Sequence, residues 1–129
     1  MKIPALLDGP RRPRRAVGGA TARRVPGHSV AAMSQHSAAA AALIKALAHR
    51  ARLLVMCRLV EGEASVSELS ALAGLSMSAL SQHLAVLRGA GLVVTRRTGQ
   101  TIFYSLAETP ALAVMEALHA AYCGNAPRD

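Results

Sequence analysis

The chain is 129 residues long, enough for one domain of ordinary size and too short for an enzyme with separate cofactor and substrate domains. Apolar residues make up 52% of it, enough to close one core, while aromatics are only 2% with no Trp, which argues against recognition by stacking bases on an aromatic platform. The net charge of +8 points towards nucleic acid, yet +6 of it lies in residues 1–32 and only +2 in residues 33–129, so the body must justify DNA binding by where its few arginines sit.

Residues 1–32 contain four of the six prolines, four glycines and the cluster Arg11, Arg12, Arg14 and Arg15, with no sustained hydrophobic period. They read as a disordered basic tail. Such a tail is either a DNA-affine arm or a start that precedes the real initiator, because Met33 begins a tidy helical sequence. The expected organisation is therefore a tail over 1–32, one folded domain over 33–125 and a flexible C-terminus over 126–129. The two cysteines, Cys57 and Cys123, form no CxxC or zinc-finger spacing, so a reducing, cytoplasmic location is the default. The longest apolar run, Ala38 to Ile44, is too short to span a bilayer and too far along the chain for a signal sequence, so neither export nor a membrane partner is expected.

The alanine-rich stretch SAAAAALIKALA predicts a helix from Ser34 or Ser37 to about Leu47. A second helix runs from about Arg50 to Glu61, where Leu53, Leu54, Cys57 and Val60 recur at three- and four-residue steps before Gly62. Ser65 or Ser67 caps a short third helix over 66–73, and Ser65-x-x-Glu68 has capping-box spacing. Gly74-Leu75-Ser76 is a tight turn, with Ser76 the N-cap of a fourth helix over 77–88. That helix sets Leu80, Leu84 and Leu87 on one face and Ser78, Ser81, Gln82 and Ala85 on the other. Two strands near 92–97 and 101–106 flank Thr98-Gly99-Gln100 and form a hairpin. Thr109 caps and Pro110 starts a last helix, closed by Gly124. The fold class is mainly α with a small β-hairpin.

Two short helices joined by a Gly turn, the second polar at its exposed N-terminal end, precede a hairpin bearing Arg96 and Arg97. A helix entering the major groove by its N-terminus brings Ser and Gln to base edges, while hairpin arginines meet phosphates or the minor groove. Two packed amphipathic helices with a Gly turn also occur in α domains of other function. The adjoining basic hairpin favours the DNA reading.

The stretch from Leu47 to Cys123, with ALAHRARLLVMC, SMSALSQHLAVLRGAGLV, RRTGQTIFYSL and LHAAYC, resembles the ArsR/SmtB family of winged helix-turn-helix repressors. The resemblance implies a homodimer assembled through the first and last helices that binds double-stranded operator DNA and releases it when an effector is sensed. The family's base-contacting positions fall on Met77, Ser78, Ser81 and Gln82, and its wing on Thr95 to Thr101 with Arg96 and Arg97. Met77 departs from the glutamine often found there: a thioether touches a thymine methyl but makes no bidentate bond to adenine.

Metal-sensing members carry paired cysteines where this chain has Ser65, Ser67 and Ser70, and hydroxyls are poor ligands for soft metals. Glu116, His119 and Cys123 on the last helix lack a paired second half, so neither a metal nor a cofactor is expected. On composition alone, Cys57 on an apolar helix face reads as an inert core residue. Both cysteines nevertheless fall where the BigR, SqrR and HlyU-like dithiol subgroup keeps its pair. That resemblance implies sensing of reactive sulfur species or an oxidant through a disulfide or polysulfide bridge between Cys57 and Cys123. The competing readings are a repressor with a different effector and structural cysteines, a tail-dependent architectural DNA binder, and a thiol-dependent enzyme. The last is disfavoured because neither Cys comes with a histidine-activated nucleophile or an anion loop, and no catalytic residue is assigned.

Overall fold

The structure, a computed structural model, describes residues 24–124, which fall into two compact units divided between Gln35 and His36. Residues 1–23 of the expected basic tail and the expected flexible C-terminus over 126–129 lie outside the described residues. The first unit contains a short helix, α1 (Val30–Ser34), which periodicity did not reveal. Its N-cap is Ser29, whose Oγ accepts the Ala32 N–H at 3.1 Å.

The second unit holds α2 (Ser37–Leu47), α3 (Arg50–Val60), β1 (Ala64–Ser65), α4 (Val66–Ala73), α5 (Met77–Gly89), β2 (Val93–Thr98), β3 (Thr101–Leu106) and α6 (Ala111–Cys123). The expected elements are all present with ends moved by a residue or so, and the architecture is that of a winged helix-turn-helix. Two details differ from the sequence reading. Pro110 stands at the N-cap position and α6 begins at Ala111, whose N–H donates to Thr109 Oγ1 at 3.1 Å, so Thr109 supplies the cap one residue further out. The hairpin is also the larger part of a three-stranded antiparallel sheet, ordered β1-β3-β2, in which Ala64 pairs with Tyr104 and Ser65 with Phe103.

Local chemistry fixes where α4 stops and α5 starts. Ser65 and Glu68 form the capping box, with the Glu68 N–H donating to Ser65 Oγ at 3.2 Å and the Ser65 N–H to Glu68 Oε1 at 2.8 Å. Gly74 ends α4 with φ +68, a left-handed conformation that a side chain would strain. Ser70 Oγ donates to the Leu75 carbonyl at 2.7 Å across this turn, and Ser76 Oγ accepts the Ala79 N–H at 3.1 Å as the cap of α5. Between the two helices the chain bends by 107°.

The core lies where α3 meets α4, α5, α6 and β3, with Val55, Met56, Leu69, Leu80 and Leu87 fully buried. None of the described residues is a buried polar or charged side chain, so burial of apolar surface carries the packing. A polar clasp joins α3 to α5 at the edge of that core. His49, the N-cap of α3, accepts the Ala51 N–H on Nδ1 at 3.0 Å and lies with its ring centroid 4.2 Å from that of His83 on α5. Arg52 donates from Nε to the Ala46 carbonyl at 2.6 Å and lies with Nη1 3.2 Å from His83 Nδ1. A guanidinium only donates, so His83 Nδ1 must be unprotonated and its single proton sits on Nε2.

Two outcomes follow from this packing. Leu80→Ala leaves a cavity at the junction of α3, α4 and α5 and should cost about 2–5 kcal/mol in urea unfolding. Partial burial, with His49 and Arg52 adding repulsion, holds the His83 imidazole below its ordinary range. The unfolded chain therefore takes up this proton more readily than the folded one, so the contribution of His83 to stability is full above about pH 6.5 and declines as the pH falls below it. Melting curves at about pH 7.5 and about pH 5.5 should show a smaller acid-induced drop for His83→Gln than for the parent chain.

Candidate nucleic-acid interface

Helix α5 divides its surface between two tasks. Leu80, Leu84 and Leu87 are 0%, 3% and 0% exposed and anchor one face, while Ser78, Ser81 and Gln82 are exposed on the other. Met77, first residue of the helix, is 52% exposed. Positions 77, 78, 81 and 82 are three and four residues apart around a 3.6-residue turn, so they form one patch at the N-terminal end of the helix. The structure thus brings together the four residues singled out on α5. Small side chains at this end let a helix approach a groove floor closely, and hydroxyl and amide groups can both donate and accept there.

Three residues separate the end of α5 from the start of the hairpin, and α5 contacts β2. Its two-residue loop, Gly99-Gln100, turns on Gly99 at φ +64. Within the hairpin, Arg96 stands opposite Phe103 and Arg97 opposite Ile102, so the two arginines point to opposite faces. They are not equivalent. Arg96 donates from Nε to Glu63 Oε2 at 2.9 Å, from Nη2 to Glu63 Oε1 at 2.8 Å and from Nη1 to Thr98 Oγ1 at 2.7 Å. Its guanidinium carbon lies 4.7 Å from the centroid of the Phe103 ring. The hydrogen bond from Arg96 holds the Glu63 carboxyl below its usual range, and the reciprocal bond raises Arg96, so the pair is ionised at neutral pH. Arg97 is exposed and has no hydrogen-bond or ion-pair partner among the described residues.

Glu63 was not visible as a candidate in the sequence, because its partner is 33 residues away and only the sheet register joins them. The cysteines differ in setting. Cys57 on α3 is half-buried against the core, Cys123 ends α6 in an exposed position, both are free thiols, and α3 packs on α6. Ser65 and Ser70 are committed to backbone partners. Among the described residues no three His, Cys, Asp or Glu side chains converge as a metal site, and no single helix is long and apolar enough to cross a membrane.

Comparison with known proteins agrees with this geometry. Residues 49–95 match the family model described as "Bacterial regulatory protein, arsR family". The chain is 52% identical over 91 residues to the transcriptional activator HlyU of Vibrio cholerae, covering 70% of this chain and 84% of that protein. Among solved structures, the transcriptional repressor BigR from Xylella fastidiosa superposes with a TM-score of 0.71 at 42% identity, covering 74% of this chain and 98% of that one. The homodimeric winged helix-turn-helix DNA-binding domain Mb0332 from Mycobacterium bovis superposes with a TM-score of 0.62 at 25% identity, covering 77% and 91%. A 107° helix-turn-helix, an exposed polar patch on its second helix, a wing beside it and a relative of this identity over most of its length together establish that the chain belongs to the ArsR family of bacterial regulatory proteins.

Proposed function

We propose that the chain is a homodimeric repressor that reads a palindromic operator with α5 and releases it when Cys57 and Cys123 become covalently linked. The observation that carries the DNA reading is the exposed patch of Met77, Ser78, Ser81 and Gln82, held rigid by the leucines on the opposite face of the same helix. Ser81 and Gln82 hydrogen-bond base edges in the major groove, Met77 meets a thymine methyl, and the wing cation meets a phosphate or the minor groove. The homodimeric state of the Mycobacterium bovis domain supports a two-fold arrangement, in which each copy occupies one half-site.

The effector chemistry rests on two free thiols carried by packed helices. A polysulfide transfers a sulfane sulfur to one thiolate and departs one sulfur shorter. The second thiolate then attacks that persulfide, expelling hydrosulfide and leaving a disulfide, or first takes a sulfane sulfur from another polysulfide and attacks as a persulfide, expelling hydrosulfide and leaving a trisulfide. A peroxide reaches the same disulfide through a sulfenic acid and releases water. Either bridge ties α6 to α3, the helix on which α4 and α5 rest, and so biases the spacing of the two reading heads. Packing of Cys57 against the core also favours a second reading, in which both cysteines are structural and another molecule is the effector.

Fluorescence anisotropy with a duplex from the chain's own promoter and a random duplex tests the first part. Ser81→Ala and Gln82→Ala should each lower the preference for the promoter by about 1–3 kcal/mol, whereas Arg97→Ala should weaken both duplexes alike and flatten the salt dependence. Equal behaviour of all three variants would remove the division into reading and positioning residues. For the thiols, polysulfide should weaken promoter binding about 5- to 150-fold, with intact mass showing a bridge. Cys57→Ser and Cys123→Ser should each abolish that response, and an unchanged response in both would leave the structural reading.

A further inference from the structure

We propose that Arg96 is a positioning residue of the wing, strapped across the sheet to Glu63, and that Arg97 alone is the wing's contact for the DNA backbone; this rests on the DNA-binding role proposed above. Arg96 is on β2, Phe103 opposite it on the central strand β3, and Ser65 opposite Phe103 on β1, with Glu63 two residues before Ser65. The Arg96 side chain therefore runs from one edge strand over the central one to the chain leading into the other edge. Two strand spacings of about 4.8 Å separate those edges, which an extended arginine and a glutamate span together.

The Arg96 side chain is 55% exposed and is tied at several points along that path. Its flat face covers Phe103, its fork grips both carboxylate oxygens of Glu63, and Nη1 reaches Thr98 at the end of β2. Its charge is balanced by an adjacent carboxylate, so the pair presents a phosphate with little net attraction. Arg97 has the opposite character: it projects from the face that carries Val93 and Tyr104, beyond the buried end of that face, and no described residue compensates its charge. β1 is only two residues long, so the hairpin has a short edge by which to hold its angle to the body. The strap adds a side-chain tie to that edge.

A contact role and a positioning role predict opposite signs for one substitution. Were Arg96 a phosphate contact, Glu63→Gln would free it and remove a negative charge, tightening DNA binding. With Arg96 as a positioning residue, Glu63→Gln loosens the wing, and promoter affinity should fall about 2- to 5-fold by fluorescence anisotropy. Arg96→Ala should lower affinity to a similar extent while leaving the slope of log K against log salt unchanged, whereas Arg97→Ala should reduce that slope by about 0.9. The charge exchange Glu63→Arg with Arg96→Glu should recover affinity lost in either single variant, with melting curves confirming that each variant is folded. Tighter binding by Glu63→Gln, a reduced slope for Arg96→Ala or no recovery in the exchange would overturn the positioning role and leave the DNA reading intact. A parent chain that binds the promoter no better than a random duplex, with no salt dependence, would instead overturn the DNA reading and this role with it.

Discussion

The burial of Leu80, Leu84 and Leu87 is the contact on which the rest of the molecule depends. These three side chains fix α5 in rotation and depth against α3 and α4, and because a helix is a rigid body, fixing one face fixes the other. The polar patch thereby acquires a defined orientation without hydrogen bonds of its own to hold it. Its side chains remain free for a partner. The caps and the left-handed Gly74 add little burial, but they decide where one helix ends and the next begins, and hence the 107° bend that presents the patch.

α3 has a complementary part. It touches α4, α5, α6 and β3, so the helix with the polar patch and the central strand of the sheet both rest on it, while β2 joins the body through β3 and α5. Its N-terminus is clasped to α5 through His49, Arg52 and His83, and its middle is filled by Val55 and Met56. Cys57 follows directly on those two core residues. The proposed covalent change there would act on the base of α5 rather than on its exposed patch, because packed interiors are dense and transmit displacements.

What the sequence made legible is what local chemistry encodes. Leucines at helical spacing, Ser65 with Glu68, Ser76 before an apolar run and glycines at the turns each specify structure within a few residues, and helices α2 to α6, the hairpin and the polar face of α5 were readable from them. The rest is tertiary. β1 is two residues with no strand propensity of note and exists because β3 offers it an edge. Glu63 pairs with Arg96 across 33 residues and Arg52 meets His83 across 31, separations at which sequence carries no pairing signal. The two adjacent arginines looked alike for the same reason: strand alternation separates their faces, but only the third strand reveals that one of them is already occupied.

The brevity of the hairpin has a consequence for how much one copy of this protein can know about a sequence. Six-residue strands closed by a two-residue loop extend about 20 Å, so with α5 in a groove as proposed the wing would reach the adjacent groove and no further. In the proposed binding mode, four side chains at one end of a 13-residue helix would address about four base pairs. A word that short recurs by chance throughout a genome that offers on the order of 10⁶ or more competing sites. In the proposed homodimer, selectivity on a chromosome would come from multiplication: two such words at a fixed separation of about 34 Å are far rarer than either alone, and whatever sets that separation would govern the address as well as the affinity.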